Sequence, residues 1–246
     1  MAKTNQYYIR KIHRYLGLIL GVQFLLWTIG GLYFSWSNMD EIHGDDQKEH
    51  VQPLASDVVF VNPQDIIQNI KAIDAINFVH DLRLIQILGK PFYQIQYSNE
   101  FDSDKKIQLA DVNTGELRKS LTEQEAIEIA KVHFSDSAKV AKVEYLTSID
   151  GHHEYREQPL PAYAITFDLA SSTTVYVSSE LGTVQKFRNN KWRIFDFLWM
   201  MHTMDYSTRD NISNWLLRIF SILGLVTILS GFTLFWASRK RKPISL

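Results

Sequence analysis

The sequence predicts an α+β membrane protein in which two transmembrane helices flank an extracytoplasmic domain built from one unit used twice, a helix followed by a three-stranded antiparallel sheet. Three observations predict it. Two long apolar runs lie near the ends of the chain, every acidic residue falls between them, and the segment between them resembles itself at offsets of 60 to 70 residues. Composition narrows the function classes. A chain of 246 residues, 46% hydrophobic and 22% charged, is neither collagen-like nor wholly disordered. Without cysteine it has no disulfide, Cys-ligated zinc, iron–sulfur cluster or thiol nucleophile. A net charge of −1 gives no overall basic field for nucleic acid.

Residues 1–14 form a basic N-terminus carrying Lys3, Arg10, Lys11 and Arg14. Residues 15–36, YLGLILGVQFLLWTIGGLYFSW, form the first span, with Gln23 as the strongly polar exception. Residues 212–237, ISNWLLRIFSILGLVTILSGFTLFWA, form the second, and 238–246 the basic tail. Each run exceeds 20 residues, enough at 1.5 Å per residue to cross a hydrocarbon core of roughly 30 Å. Buried core helices are the alternative, but these rarely lack a polar face over such a length. The first run is too long for a cleaved signal peptide and no small-x-small site follows it.

The two flanks hold 8 basic and no acidic residues, whereas residues 37–212 hold 17 Lys and Arg against 27 Asp and Glu. Basic flanks stay cytoplasmic, so both termini face inward and residues 37–211 face outward. In a bacterial inner membrane that means the periplasm, an oxidising side that a cysteine-free chain suits. Trp36, Trp192, Trp199 and Trp215 near the outer boundary, with Tyr15 and Trp236 near the inner one, resemble aromatic belts. Gly17 with Gly21, and Thr227 with Gly231, are small-xxx-small pairs that suit close helix approach, within the chain, in a homodimer or against a membrane-protein partner; ordinary membrane-helix composition explains them equally well.

After an acidic linker, 37–53, come two repeats, 54–119 and 120–188. P-x-Y-x-I-x-[YF] occurs at Pro91 and again at Pro161; residues 111–119 (DVNTGELRK) match 178–186 (SSELGTVQK); helical residues 63–73 match 123–133. In repeat one, Pro63 opens a helix with Ile66, Ile67, Ile70 and Ile73 at helical spacing, and strands follow near 79–87, 92–97 and 106–111. In repeat two, Thr122 and Glu125 make a capping box for a helix through about Phe134, with strands at 142–148, 162–168 and 173–178. Gly115 and Gly182 close the matching turns. Residues 192–206 then form an interfacial helix, with Phe195, Leu198, Trp199 and His202 on one face.

This duplicated unit resembles the PepSY domain. Residues 10–17 (RKIHRYLG) resemble the R-x-x-H-R-x-x-G opening of PepSY-associated transmembrane proteins, and residues 195–206 (FDFLWMMHTMDY) resemble their His-bearing segment before the last span. The resemblance implies an accessory in iron or haem handling, since family members are similar to haem-bearing reducers of ferric siderophores; those larger members have more spans than the two found here. The accessory role is the leading reading; the alternative the resemblance implies is a non-enzymatic anchored module that binds or inhibits an extracytoplasmic protein such as a peptidase. Assistance in assembling a membrane complex is a third class.

His13, His202 and His43 are the candidate ligands for a haem b, and Arg10 and Arg14 could pair with its propionates. Asp205 lies three residues past His202, placed to hold the ring's other nitrogen. The alternative makes His13 an interfacial residue among snorkelling cations and His202 a packing residue. His13 at the inner face and His202 at the outer face cannot share one iron within a chain. An inner bis-His site needs a second subunit's His13, and an outer one could pair His202 with His43. Asp40, Glu41, His43, Asp45, Asp46, Glu49 and His50 could bind a ferric or divalent ion, or form a solvated linker. His153 and Glu154 open an H-E-x-x-E string that lacks the second histidine of the zinc-protease helix.

Overall fold

The computed structural model describes residues 5–49, 53–101 and 104–239. The elements run α1 (Asn5–Trp36), α2 (Met39–His43), a 3₁₀ turn (Asp45–Gln47) and α3 (Pro63–Lys71). The first sheet follows as β1 (Phe78–Ile87), β2 (Lys90–Ser98), β3 (Lys106–Asp111) and β4 (Leu117–Arg118). Then come α4 (Glu123–Val132), β5 (Val140–Leu146), β6 (Ala162–Phe167), β7 (Thr174–Ser178), β8 (Val184–Arg188), α5 (Asn190–Thr203) and α6 (Trp215–Arg239). The chain divides into an α+β unit, Asn38–Trp192, and a helical unit made of Met1–Ser37 with Arg193–Leu246.

Within the α+β unit each repeat is a helix followed by four antiparallel strands in sequential order, β1-β2-β3-β4 and β5-β6-β7-β8. The expected three-stranded sheets are thus corrected to four. Chain leaving the glycine turns folds back as β4, which pairs Arg118 with Leu109 and Leu117 with Ala110, and as β8, which pairs with β7. Both turns place their glycine at positive φ, 72° at Gly115 and 71° at Gly182, where a Cβ would be strained. Both first strands shift register near their start, at Val79/Asp81 and at Val140/Lys142.

The helices begin where their capping residues dictate. The Asn62 side chain accepts from Gln64 N ahead of Pro63, and Thr122 and Glu125 exchange the two bonds of a capping box. Ile66 and Ile70 of α3 pack on Tyr93, Ile95, Tyr97 and Ala110 of the first sheet. Ala126, Ile129 and Ala130 of α4 pack on Ile165, Phe167, Val175 and Val177 of the second.

The two helix-and-sheet halves also share core. Ile87, Phe92 and Leu109, on the face of the first sheet away from α3, belong to the cluster built around α4. The second repeat's turn is set into that face. Gln94 Nε2 donates to Leu181 O at 2.6 Å, and a Cβ on Gly182 would lie 2.7 Å from Ile87 Cδ1 and 3.1 Å from Leu109 Cδ1.

Residues 37–53, expected as a solvated linker, are folded as far as the description extends through Glu49. Asn38 caps α2, Ile42 is buried, and Gly44 at φ 72° ends the helix. Lys48 bridges to Phe134, and Glu49 N donates to His133 O at 2.9 Å. One buried isoleucine and these backbone bonds tie a mostly polar string to α4, which its charge content hides.

In the helical unit, α1 and α6 are long and apolar enough to cross a membrane. Most of their apolar residues point outward, with Leu18 71%, Ile222 63% and Phe232 61% exposed and Leu20 a buried exception, while the polar Gln23 and Thr227 are buried. A water-soluble bundle would bury the first set and expose the second.

Candidate functional site

His13 sits in α1 against α6. Its Nδ1 is 2.8 Å from Ser230 Oγ, and Ser230 also donates to Thr227 O. Gly231 lets the ring in, since a Cβ there would lie 3.3 Å from His13 Cε1. His13 is therefore a contact between the two long helices. Arg10 and Arg14, four residues apart on either side of His13, are exposed. Of the four small residues, Thr227 is buried and Gly231 meets His13, whereas Gly17 and Gly21 have nothing within 4 Å of an added Cβ.

α5 runs antiparallel to the C-terminal half of α1. Phe195 meets Phe34 at 4.8 Å between ring centroids, Leu198 lies over Gly30, and Gln23 Nε2 donates to Met201 O at 2.8 Å. His202 completes this face inside an aromatic collar of Trp27 at 5.5 Å, Phe34 at 6.2 Å and Trp199 at 6.2 Å. Its Nδ1 is buried without a hydrogen-bond partner, as is the indole N–H of Trp27.

Asp205 does not hold that ring, contrary to the expectation from its spacing. Its carboxylate accepts from Ser207 N, Ser207 Oγ, Thr208 N, Thr208 Oγ and Asn211 N, closing the loop between α5 and α6. Burial disfavours the charge, but these donors outweigh it and hold the carboxyl well below the usual range. A short Asp side chain meets backbone N–H groups two and three residues on more readily than a ring behind it. Asp196, buried in the same unit, pairs with Arg209, a partnership the sequence did not signal.

The two helical-unit histidines lie at different levels along α1. His13 precedes Trp27, which touches His202, by 14 helical positions, roughly 21 Å at the α-helical rise. They cannot ligate one iron within the chain. His43 is exposed at the end of α2 in the other unit. His50 lies outside the described residues. Among the described residues no group of three or more His, Asp or Glu side chains is placed to hold a metal ion. In the acidic stretch, Asp45 instead takes a hydrogen bond from Lys48, which lowers its pKa.

His153 and Glu154 lie in a loop between β5 and β6 that folds over the second sheet. Tyr155, fully buried, stacks on Tyr176 at 4.6 Å, and Tyr176 Oη donates to Glu154 Oε1 at 2.7 Å. His153 Nδ1 accepts from Tyr155 N at 3.0 Å. Burial pushes the Tyr155 phenol up, so it stays a neutral donor to Pro159 O. The loop is a cover for the sheet.

Elsewhere in the α+β unit an open groove of about 720 Å³ is lined by Leu54, Val58, Leu88, Pro91 and Val132, with Glu49 at its side. Compared with family models, curated proteins and solved structures, the chain gives no match in any of the three.

Proposed function

We propose that this chain is a membrane-anchored, PepSY-like binding module. Two spans hold a duplicated α+β unit on the extracytoplasmic side, where it engages another macromolecule without chemistry of its own. The observation that carries this reading is the inverted packing of the helical unit. Gln23 and Thr227 turn inward, most of the Leu, Ile and Phe side chains turn outward, and His13 is spent on holding α1 to α6. Such a unit serves as an anchor, and the independently cored α+β unit is left to do the work. Fractionation tests it: the full chain should stay in alkaline-washed membranes, and protease added to spheroplasts should digest residues 38–192 while sparing tags at both ends. Release from the membrane on washing would overturn it.

A second reading, an accessory in haem or iron handling with a single axial ligand, is favoured by His202. A buried imidazole nitrogen without a partner, beside an indole N–H also without one, costs about 1–3 kcal/mol for each group left unsatisfied. The stacked Trp199 suits a planar aromatic ligand. A bound haem would supply one-electron chemistry, with His202 holding it and the aromatic collar excluding water. Chain purified from haem-replete cells would then show a Soret band that His202→Ala abolishes and His13→Ala keeps. A colourless, folded preparation would sink this second reading and leave the first standing.

A further inference from the structure

We propose that two copies of this chain pair antiparallel through β1, joining their first sheets edge to edge about a twofold axis at Leu82. β1 is the outer strand of its sheet, ten residues long, with no strand along its free side among the described residues. Its backbone donors and acceptors on that side are a template for another strand.

The side chains say which strand fits. Val79, Leu82 and Leu84 are opposite Tyr97, Ile95 and Tyr93, so they share the face that packs against α3. Yet these three are 43%, 38% and 43% exposed, because α3 covers the inner strands and stops short of the edge. The apolar layer is left unfinished at β1. On the opposite face of the same strand, Asp81 and Arg83 form an ion pair.

In an antiparallel pair about a twofold, facing residues lie on the same face of the sheet, which limits the registers. Centring on Asp81 or on Arg83 sets like charges directly opposite one another. Centring on Leu82 sets Asp81 against the partner's Arg83 and Arg83 against the partner's Asp81, while Leu82 meets its own counterpart in the exposed apolar stripe. Opposite charges across strands stabilise pairing and like charges oppose it. β1 is thus complementary to itself in one central register. This surface is independent of what the module otherwise binds.

Because the chain has no cysteine, a single introduced thiol reports the contact cleanly. Full-length Leu82→Cys in detergent micelles, treated with a mild oxidant, should run as a disulfide dimer, while Glu128→Cys, exposed on α4, should not. Arg83→Asp placed on Leu82→Cys should cut the dimer yield by about tenfold, since it creates two like-charge pairs. Adding Asp81→Arg to the same chain should restore it. Light scattering on the unmodified chain should give a dimer that Arg83→Asp converts to monomer, with circular dichroism unchanged. A monomeric unmodified chain, cross-linking no greater than for Glu128→Cys, or cross-linking indifferent to the charge swap would overturn the proposal. So would a co-purified protein occupying β1 in place of the second copy.

Discussion

Asp205 shows how one carboxylate can fix a loop that lacks regular structure. Its folded-state pKa is depressed, so the stability it contributes is present above the unfolded value, near 3.9, and is lost as pH falls below it. Asp205→Asn should destabilise the full chain by ~1–3 kcal/mol at neutral pH and flatten the fall in melting temperature on acidification. Gly182 and Gly115 make a sharper pair, since both need positive φ but only Gly182 is pressed against another sheet. Gly115→Ala should cost ~1 kcal/mol for its backbone alone, and its nearest neighbour would be at an ordinary 3.5 Å. Gly182→Ala should cost ~1–3 kcal/mol more, from the clash with Ile87, read as a larger drop in melting temperature. The matching sequence turns announced both glycines; the difference between them was invisible, because Ile87 and Leu109 lie far away along the chain.

At the scale of elements, legibility followed how local the signals were. Asn62 with Pro63, and Thr122 with Glu125, mark helix starts with groups that bond within three residues, and both helices begin there. β4 has two residues, too few for any alternation to register, so the fourth strand of the first sheet was lost; β8 has five, and the turn match that ends at Lys186 masked it. α2 was hidden because a single buried side chain, Ile42, anchors it. For the candidate site, the stripe from Phe195 to His202 was readable from helical spacing, but its partners Trp27, Gly30 and Phe34 were not. The Ser230 bond to His13 is a tertiary contact of the same kind. Removing the capping box with Thr122→Ala should cost ~1 kcal/mol in denaturant unfolding. The Glu125 carboxyl is opposed by burial but lowered by hydrogen bonds from Thr122 and Arg118, so that contribution fades as pH drops below about 4.3. Gly231→Val should push His13 off Ser230 and weaken the pairing of α1 with α6, detected as lower thermal stability in detergent with the α+β unit's transition unmoved.

Across the whole molecule, the two helix-and-sheet halves are unequal, since the second reaches into the first through Leu181 and Gly182 while the first half's own turn stays at home beside Val61 and Ile66. A ribosome delivers these parts in sequence. When Lys119 has emerged, the first sheet is complete, but Ile85, Ile87 and Leu109 have nothing to rest against until the chain through Gly182 arrives. For that interval the nascent protein carries a sticky, half-finished surface, a setting in which chaperone capture or aggregation competes with folding. Translation halted between the two copies should therefore yield a product that aggregates in detergent micelles, whereas a chain released after β8 should stay dispersed in them.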